Sequence, residues 1–251
     1  MMTVATVAFC IGMLLVAGAG IFVLLILGDL RALWTLRRLH PTAIGGRGRV
    51  ALEGTVEYGT AGRQIAPVTG EDCAWYRVTL LREPARYTPS GESGPDYDRV
   101  LEVESPAWPT LADRTGRIPV DPRLVSPSRV LFDPLMTGSP AYVVTAVEHS
   151  RARPVPLPPV VPPDVADDLR PSERLHLTEV RVARGQQIFA VGRAGRRGLT
   201  PSRTGLTVFT PRSRAEVIAV HREDIRVGRT AVVWLMLIGL FLAVPAAVHL
   251  L

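Results

Sequence analysis

The chain has 251 residues, of which 47% are hydrophobic and 21% charged, and its formal net charge is +6. All 29 basic residues are arginine, a composition typical of a G+C-rich genome that by itself indicates no function. The chain has two cysteines and five histidines, and the CxxC, HxxxH and HExxH spacings do not occur. These counts argue against a structural zinc site, and we predict no metal and no cofactor.

Both ends of the sequence are apolar. No Asp, Glu, Lys or Arg occurs from Met1 to Gly28 or from Thr230 to Leu251. At 1.5 Å of rise per residue, either run is long enough to cross a hydrocarbon core of about 30 Å. We therefore predict transmembrane helices over 4–28 and 230–251. A cleaved signal peptide is the disfavoured alternative for the first run, because a basic n-region is lacking and apolar residues continue to Leu27.

Arginines flank the inner ends of both apolar runs. They are Arg31, Arg37 and Arg38 after the first run, and Arg222, Arg226 and Arg229 before the second. The positive-inside rule then places the central domain in the cytoplasm and both termini outside, in a bacterial plasma membrane. Residues 29–44 form a basic juxtamembrane segment in this interpretation.

The net charge is concentrated before the second run. Residues 193–229 hold nine arginines and three acidic residues. A basic segment beside a membrane span most simply contacts anionic headgroups, at about 1 kcal/mol per arginine. We name Arg222, Arg226 and Arg229 as candidate lipid contacts. Nucleic acid is disfavoured because Phe209 is the only aromatic residue available there for base stacking.

The first half of the central region reads as strands. Residues 49–58 alternate between apolar and polar side chains, which predicts a half-buried strand. Residues 71–81 predict a second strand and 99–108 a third, while 84–98 predict a loop. Residues 111–122 predict a hairpin whose turn, 113–116, ends on a glycine suited to positive φ.

The second half continues this β pattern. Residues 141–150 predict a strand, 154–163 a stiff proline-rich surface spacer, and 164–175 a short helix broken near Pro171. Strands over 175–192, with a turn at Arg184-Gly185, and over 205–210 follow. Ser213 is placed to cap a short helix, 213–225, that leads into the second span. The predicted fold is a mostly antiparallel β domain, barrel- or sandwich-like, with one or two short helices between two membrane helices.

Cys73 is the only cysteine outside the apolar runs. A cysteine nucleophile needs an activating base, and neither His149 nor His176 lies in a local signature that points to Cys73. Because a buried free cysteine ordinarily behaves as a small hydrophobe, the packing interpretation is favoured over catalysis.

Small residues recur on one face of the second run, at Gly239, Ala243 and Ala247, and Ala8 and Gly12 share this spacing in the first run. Such a seam favours close packing between the two spans or between copies of the chain in a homo-oligomer.

Three ordered segments, Gly70–Val78, Leu111–Val120 and Glu179–Gly192, resemble the GIDE (beside-a-membrane) domain. That domain occurs in mitochondrial membrane-anchored RING ubiquitin ligases and in prokaryotic relatives, and the resemblance covers about 45–225. The matching residues are Gly70, Glu71, Cys73, Trp75, Tyr76, Asp113, Gly116, Val120, Glu179, Gly185 and Gly192. The motif glycines are expected to set turns, and the Trp75-Tyr76 pair to anchor the core.

The resemblance implies a binding role rather than catalysis. In the ligases, ubiquitin transfer belongs to a RING, and the cysteine-rich RING pattern does not occur in this sequence. The ligase domain also faces the topological outside, whereas the arginines here favour the cytoplasm. The leading hypothesis is a membrane-anchored, non-catalytic scaffold with an unknown protein partner. The alternatives are a ligase-like component without its RING, a hydrolase that uses Cys73, and a lipid or nucleic-acid binder.

Overall fold

The computed structural model describes residues 2–86, 97–125, 142–202 and 206–250, with side chains from Thr6 to Val248. In chain order its elements are α1 (Met2–Arg38), β1 (Gly48–Glu57), β2 (Gln64–Ile65), β3 (Asp72–Cys73), β4 (Trp75–Glu83), β5 (Asp98–Glu104), β6 (Thr110–Ala112), β7 (Arg117–Pro119), α2 (Pro122–Val125), β8 (Val143–Ser150), α3 (Pro163–Asp167), β9 (Arg174–Val182), β10 (Gln187–Gly195), β11 (Gly198–Thr200), β12 (Val208–Thr210) and α4 (Arg214–Leu250). The chain divides into a helical unit, Met1–His40 with Ser213–Leu251, and a β unit, Pro41–Arg212. The prediction of two long apolar helices around a mostly antiparallel β region is confirmed.

The two long helices extend beyond the apolar runs. Each has 37 residues, so α1 includes most of the basic segment predicted for 29–44. The short helix predicted for 213–225 is the beginning of α4 rather than a separate element. Both helices are long and apolar enough to cross a membrane, judged by length and composition.

The two helices pack antiparallel through direct backbone contact. A Cβ added to Gly12 would lie 2.6 Å from the Gly239 carbonyl oxygen, and one added to Gly239 would lie 2.9 Å from the Gly12 carbonyl oxygen. Ala243 is buried in the same contact and Ala247 is half-buried. The small-residue seam therefore joins the two helices of a single chain, and only residues without a bulky side chain allow this approach.

Side chains satisfy the free backbone N–H groups at the beginning of α4 and the free carbonyl groups at the end of α1. Ser213 and Glu216 form a capping box at the start of α4, with N–H to side-chain oxygen distances of 2.8 and 3.3 Å. The Arg214 guanidinium donates to the Leu36 and Leu39 carbonyls at the end of α1, at 2.7 and 3.2 Å. The predicted cap at Ser213 is confirmed.

The first sheet of the β unit has the order β11-β10-β1-β6-β7, and β12 also pairs with β10. Its apolar face forms a core that includes Leu52, Val56, Leu111 and Ile188. The ladder does not close into a barrel: after β7, a single bridge joins Val120 to Leu199. The strand predicted for 49–58 is confirmed, whereas the barrel alternative does not describe this sheet.

The second sheet has the order β5-β4-β9-β8 and is antiparallel throughout. Val78, Leu80, Leu175 and Leu177 form a second core on one face. The proline-rich segment differs from a surface spacer, because three of its apolar side chains pack on this core. Val161 is buried, and Leu157 and Val160 are partly buried there.

The strand predicted for 71–81 is two strands. Residues 72–73 pair with β2, while β4 begins at Trp75 and pairs with β9. Trp75 belongs to the first core, whereas Val78 and Leu80 belong to the second. β4 therefore links the two cores. The loop predicted for 84–98 falls mainly on 87–96, outside the described residues.

The turn at 113–116 forms without a positive φ at Gly116, so that part of the prediction is wrong. Asp113 Oδ1 accepts hydrogen bonds from the Thr115 and Gly116 N–H groups at 2.6 and 2.9 Å. The Asp113 side chain therefore stabilises the turn, so the turn does not depend on a glycine with positive φ. The hydrogen bond from the Thr115 hydroxyl, together with these two backbone bonds, lowers the pKa of Asp113.

The glycine contact between the helices predicts a sharp steric effect. Gly239→Val should destabilise the helix pair by about 1–3 kcal/mol, because the new side chain meets α1 backbone. The melting temperature of the full chain in detergent measures the loss. Gly20→Val is the matched control, since nothing lies within 4 Å of a Cβ at Gly20. Equal melting temperatures for the two variants would contradict the contact.

Candidate functional site

The first and third motif segments meet around a buried carboxylate. Glu179, in β9, is fully buried. Its carboxylate accepts one hydrogen bond from the Val68 N–H and another from the Thr69 hydroxyl, both at 2.7 Å. Because two donors from the 66–70 loop satisfy it, Glu179 holds this loop against the second sheet rather than presenting a reactive group.

The same loop carries Gly70, whose φ of 70° is in the left-handed region that favours glycine. The Gly70 N–H donates to the Ala66 carbonyl at 2.8 Å, and the Ala66 N–H donates to the Glu71 carbonyl at 2.9 Å. The Glu71 carboxylate also pairs with Arg181 of β9 at 2.5 Å. The turn expected at Gly70 is therefore present, and it is fastened to β9 at two points.

Cys73 lies beside this loop and is fully buried. Burial, together with the negative charges of Glu179 and Asp72, raises the pKa of the thiol to about 11. Its sulfur lies 3.8 Å from the Gln64 carbonyl oxygen. A thiol with a raised pKa is protonated at neutral pH, and the thiolate is the nucleophilic form.

The two histidines considered as bases for Cys73 have other partners. His149 Nδ1 lies 2.8 Å from the Val155 carbonyl oxygen, and His176 Nε2 lies 3.2 Å from the Glu83 carboxylate. The charged groups that act on the Cys73 thiol are Glu179, Asp72 and Arg181. The geometry therefore favours the packing interpretation of Cys73.

Trp75 and Tyr76 divide between the two cores. Trp75 is fully buried, and its indole N–H donates to the Glu104 carboxylate at 3.2 Å. Tyr76 is partly buried against the second core, and its backbone N–H donates to the Ser105 hydroxyl at 2.9 Å. The Trp75 ring therefore packs in the first core and Tyr76 packs against the second.

The second motif segment lies in the first sheet, away from the Glu179 loop in the strand order. It contains β7 and most of β6, and Val120 is buried next to Leu199. Gly185 makes the expected turn between β9 and β10, with a φ of 83°. Gly192 differs from the prediction because it lies inside β10, where a Cβ would come within 2.8 Å of the Thr200 carbonyl oxygen.

A second buried carboxylate, Glu173, was not singled out from the sequence. Its partner is Arg86, at 2.7 Å, and this guanidinium also contacts Asp168. The hydrogen bonds from Arg86 lower the pKa of Glu173 to about 2. Because 87 positions separate the two residues, sequence spacing carries no signal of this pair. The Arg86–Glu173 ion pair connects residue 86 to the segment directly before β9, and the two charges neutralise each other.

The described residues contain no group of three or more His, Cys, Asp or Glu side chains that could hold a metal ion. In the helical unit, the three candidate lipid contacts lie together on α4. Arg222, Arg226 and Arg229 are exposed and line a shallow groove of about 390 Å³.

Comparison of the chain with protein-family models, with curated proteins and with solved structures finds no match. The resemblance to the GIDE domain therefore stays a hypothesis that rests on the three motif segments.

The thiol environment predicts slow alkylation. In a Cys10→Ala chain, iodoacetamide at pH 8 should modify Cys73 on the order of a hundredfold more slowly when folded than in urea, because the raised pKa leaves little thiolate. The rate should rise as the pH approaches 11. Mass spectrometry of the intact chain measures the modification. Rapid labelling that is already complete near neutral pH would show an activated thiol instead.

The buried carboxylate predicts a large stability effect. Glu179→Ala leaves the Val68 N–H and the Thr69 hydroxyl without their acceptor and should lower the free energy of unfolding by about 3 kcal/mol. Glu148→Ala is the control, because the Glu148–Arg174 pair is exposed and should change stability by less than about 1 kcal/mol. Thermal unfolding followed by circular dichroism compares the two. A Glu179 variant as stable as the control would contradict the role of the carboxylate.

Proposed function

We propose that this protein crosses a membrane twice and holds a non-catalytic β-sheet binding module beside the membrane surface. One observation carries the proposal: the helix pair turns large apolar side chains outward. Leu14, Leu24 and Phe241 are exposed by 73%, 69% and 78%. Apolar area in water costs about 25 cal/mol per Å², so this outer surface favours a hydrocarbon environment.

The register of the helices supports a spanning pair. Gly12 lies beside Gly239, and Ile26 lies beside Gly228. At this register the charge-free stretches of the two helices overlap over about 20 residues, or about 30 Å, the thickness of a hydrocarbon core. Pro245 lies inside α4, and proline is more frequent in membrane helices than in soluble ones.

The polar groups of the β unit support binding rather than catalysis. The thiol of Cys73 is enclosed and has a raised pKa. Glu179 and Glu173 are buried and satisfied by hydrogen bonds. The second sheet ends in two edge strands, β5 and β8, and no further described strand pairs with either. Such edges are where sheets add an extended segment of a protein partner.

The arginines at the inner ends of the helices support a cytoplasmic β unit, with both termini outside a bacterial plasma membrane. The GIDE resemblance supports the same position beside a membrane. Ubiquitin transfer forms no part of the proposal.

Membrane extraction and cysteine labelling test the proposal together. The chain should stay in the membrane pellet after carbonate extraction. In the Cys10→Ala background, Ser172→Cys should react with a membrane-impermeant maleimide only after spheroplasts are opened, because Ser172 is exposed on the β unit. Thr3→Cys is the control and should react in intact spheroplasts.

The outcomes separate anchoring from orientation. Release of the chain by carbonate would refute the two spans. Labelling of the Ser172 variant from outside, with the chain still in the pellet, would refute the cytoplasmic placement and leave the anchoring intact.

A further inference from the structure

One exposed face of α4 joins a cationic end to an apolar end. Arg222, Arg226 and Arg229 are spaced four and three residues apart, so they lie in one stripe along the helix. The groove that they line continues into Thr230, Val233 and Trp234. The exposed fractions of Val233 and Trp234 are 54% and 60%. This face therefore offers cations first and bare apolar surface directly after them.

The cations of this face are largely unmatched. Arg226 pairs with the exposed carboxylate of Glu223 at 2.7 Å. No described residue forms a hydrogen bond or ion pair with the guanidinium of Arg222 or of Arg229. Asp224 lies about 200° around the helix from Arg222, on the opposite side of α4. Two guanidinium groups on this face, those of Arg222 and Arg229, therefore have no anionic partner among the residues that the structure describes.

The contacts with α1 show how deep these arginines lie. His221 Nδ1 lies 3.2 Å from the Asp29 carboxylate, and Asp29 is the first charged residue of α1. Farther along, a Cβ at Gly228 would lie 2.9 Å from the Ile26 side chain. Arg229 lies eight residues beyond His221, or about 12 Å along the helix. Arg226 and Arg229 are thus level with the apolar part of α1.

The direction of their side chains allows Arg226 and Arg229 to reach the polar interface from this depth. Side chains on a helix lean toward its N-terminus, and long arginine side chains carry their charge toward the polar interface. In a spanning pair, the guanidinium groups reach the headgroup layer while Val233 and Leu237 face the acyl chains. Leu237 is 57% exposed. The charge and the polarity of this face match a single amphiphile.

We propose that this face of α4 binds the headgroup of an anionic phospholipid, with Arg229 on the phosphate, Arg222 about 10 Å farther out along the helix in the headgroup layer, and an acyl chain along Val233 and Leu237. The inference rests on the proposed membrane anchoring. A single guanidinium group can donate two parallel N–H bonds to the oxygens of one phosphate, which suits an arginine that has no carboxylate partner among the described residues. Nucleic acid fits less well, because the exposed apolar surface directly below the arginines would face its phosphates and the water around them.

The test compares two triple variants of the full chain in lipid nanodiscs. Arg222, Arg226 and Arg229 are changed to Gln in one, and Arg193, Arg196 and Arg197 in the other. The control removes the same charge from exposed positions of the β unit. Native mass spectrometry of the ejected protein counts retained phosphatidylglycerol. We expect the first variant to weaken retention about a hundredfold and the control to leave it unchanged.

Three further outcomes would each overturn the lipid site. These are equal losses in both variants, which would indicate bulk charge; equal retention of phosphatidylcholine, which would indicate no headgroup selection; and displacement by inorganic phosphate, which would indicate a free-anion site. Binding of a DNA oligonucleotide that only the first variant loses would assign the face to nucleic acid instead. Carbonate extraction of the unchanged chain distinguishes failure of the membrane anchoring from failure of the lipid site. Release of the chain refutes the anchoring itself, whereas retention in the membrane without selection of phosphatidylglycerol refutes only the lipid site.

Discussion

The backbone contact between Gly12 and Gly239 fixes the register of the two long helices, and the charges of the helical unit take their positions from it. Because neither residue has a Cβ, the helices meet at the backbone and cannot slide without a clash. The same register brings Asp29 beside His221 and the Arg214 guanidinium to the last carbonyls of α1. One steric constraint thus determines which polar groups of the two helices are paired with each other.

In the β unit, the buried carboxylate of Glu179 has a comparable role. It satisfies two donors of the 66–70 loop and so positions the strand that carries Cys73. Its charge also helps raise the pKa of the Cys73 thiol, in addition to the effect of burial. A group that stabilises the packing therefore suppresses the nucleophile, which explains structurally why this cysteine resembles a core residue more than a catalytic one.

The residue pattern predicted much of the fold where an element depends on interactions between residues that are close in sequence. The alternation over 49–58 and the Ser213 cap both depend on residues within a few positions of each other. β11 was missed because three residues, Gly198–Thr200, are too few to show a period. Gly192 was assigned to a turn because a glycine required by a neighbouring strand looks the same in sequence as a glycine required by φ. The Arg86–Glu173 pair depends on distant parts of the chain, and spacing carries no information about it.

The arginines before the second apolar run show the same limit in a functional setting. Sequence alone groups Arg222, Arg226 and Arg229 as a basic stretch at the edge of a span. Only the neighbouring helix reveals that the last two lie level with apolar residues of α1, beyond the Asp29–His221 pair. An arginine at a polar edge is solvated by water, whereas one whose backbone lies level with apolar residues reaches the headgroup layer along its side chain, where a lipid phosphate is an available anion. The depth of a charge in a helix pair is a property of both helices, so its chemical requirement follows from their register rather than from either sequence.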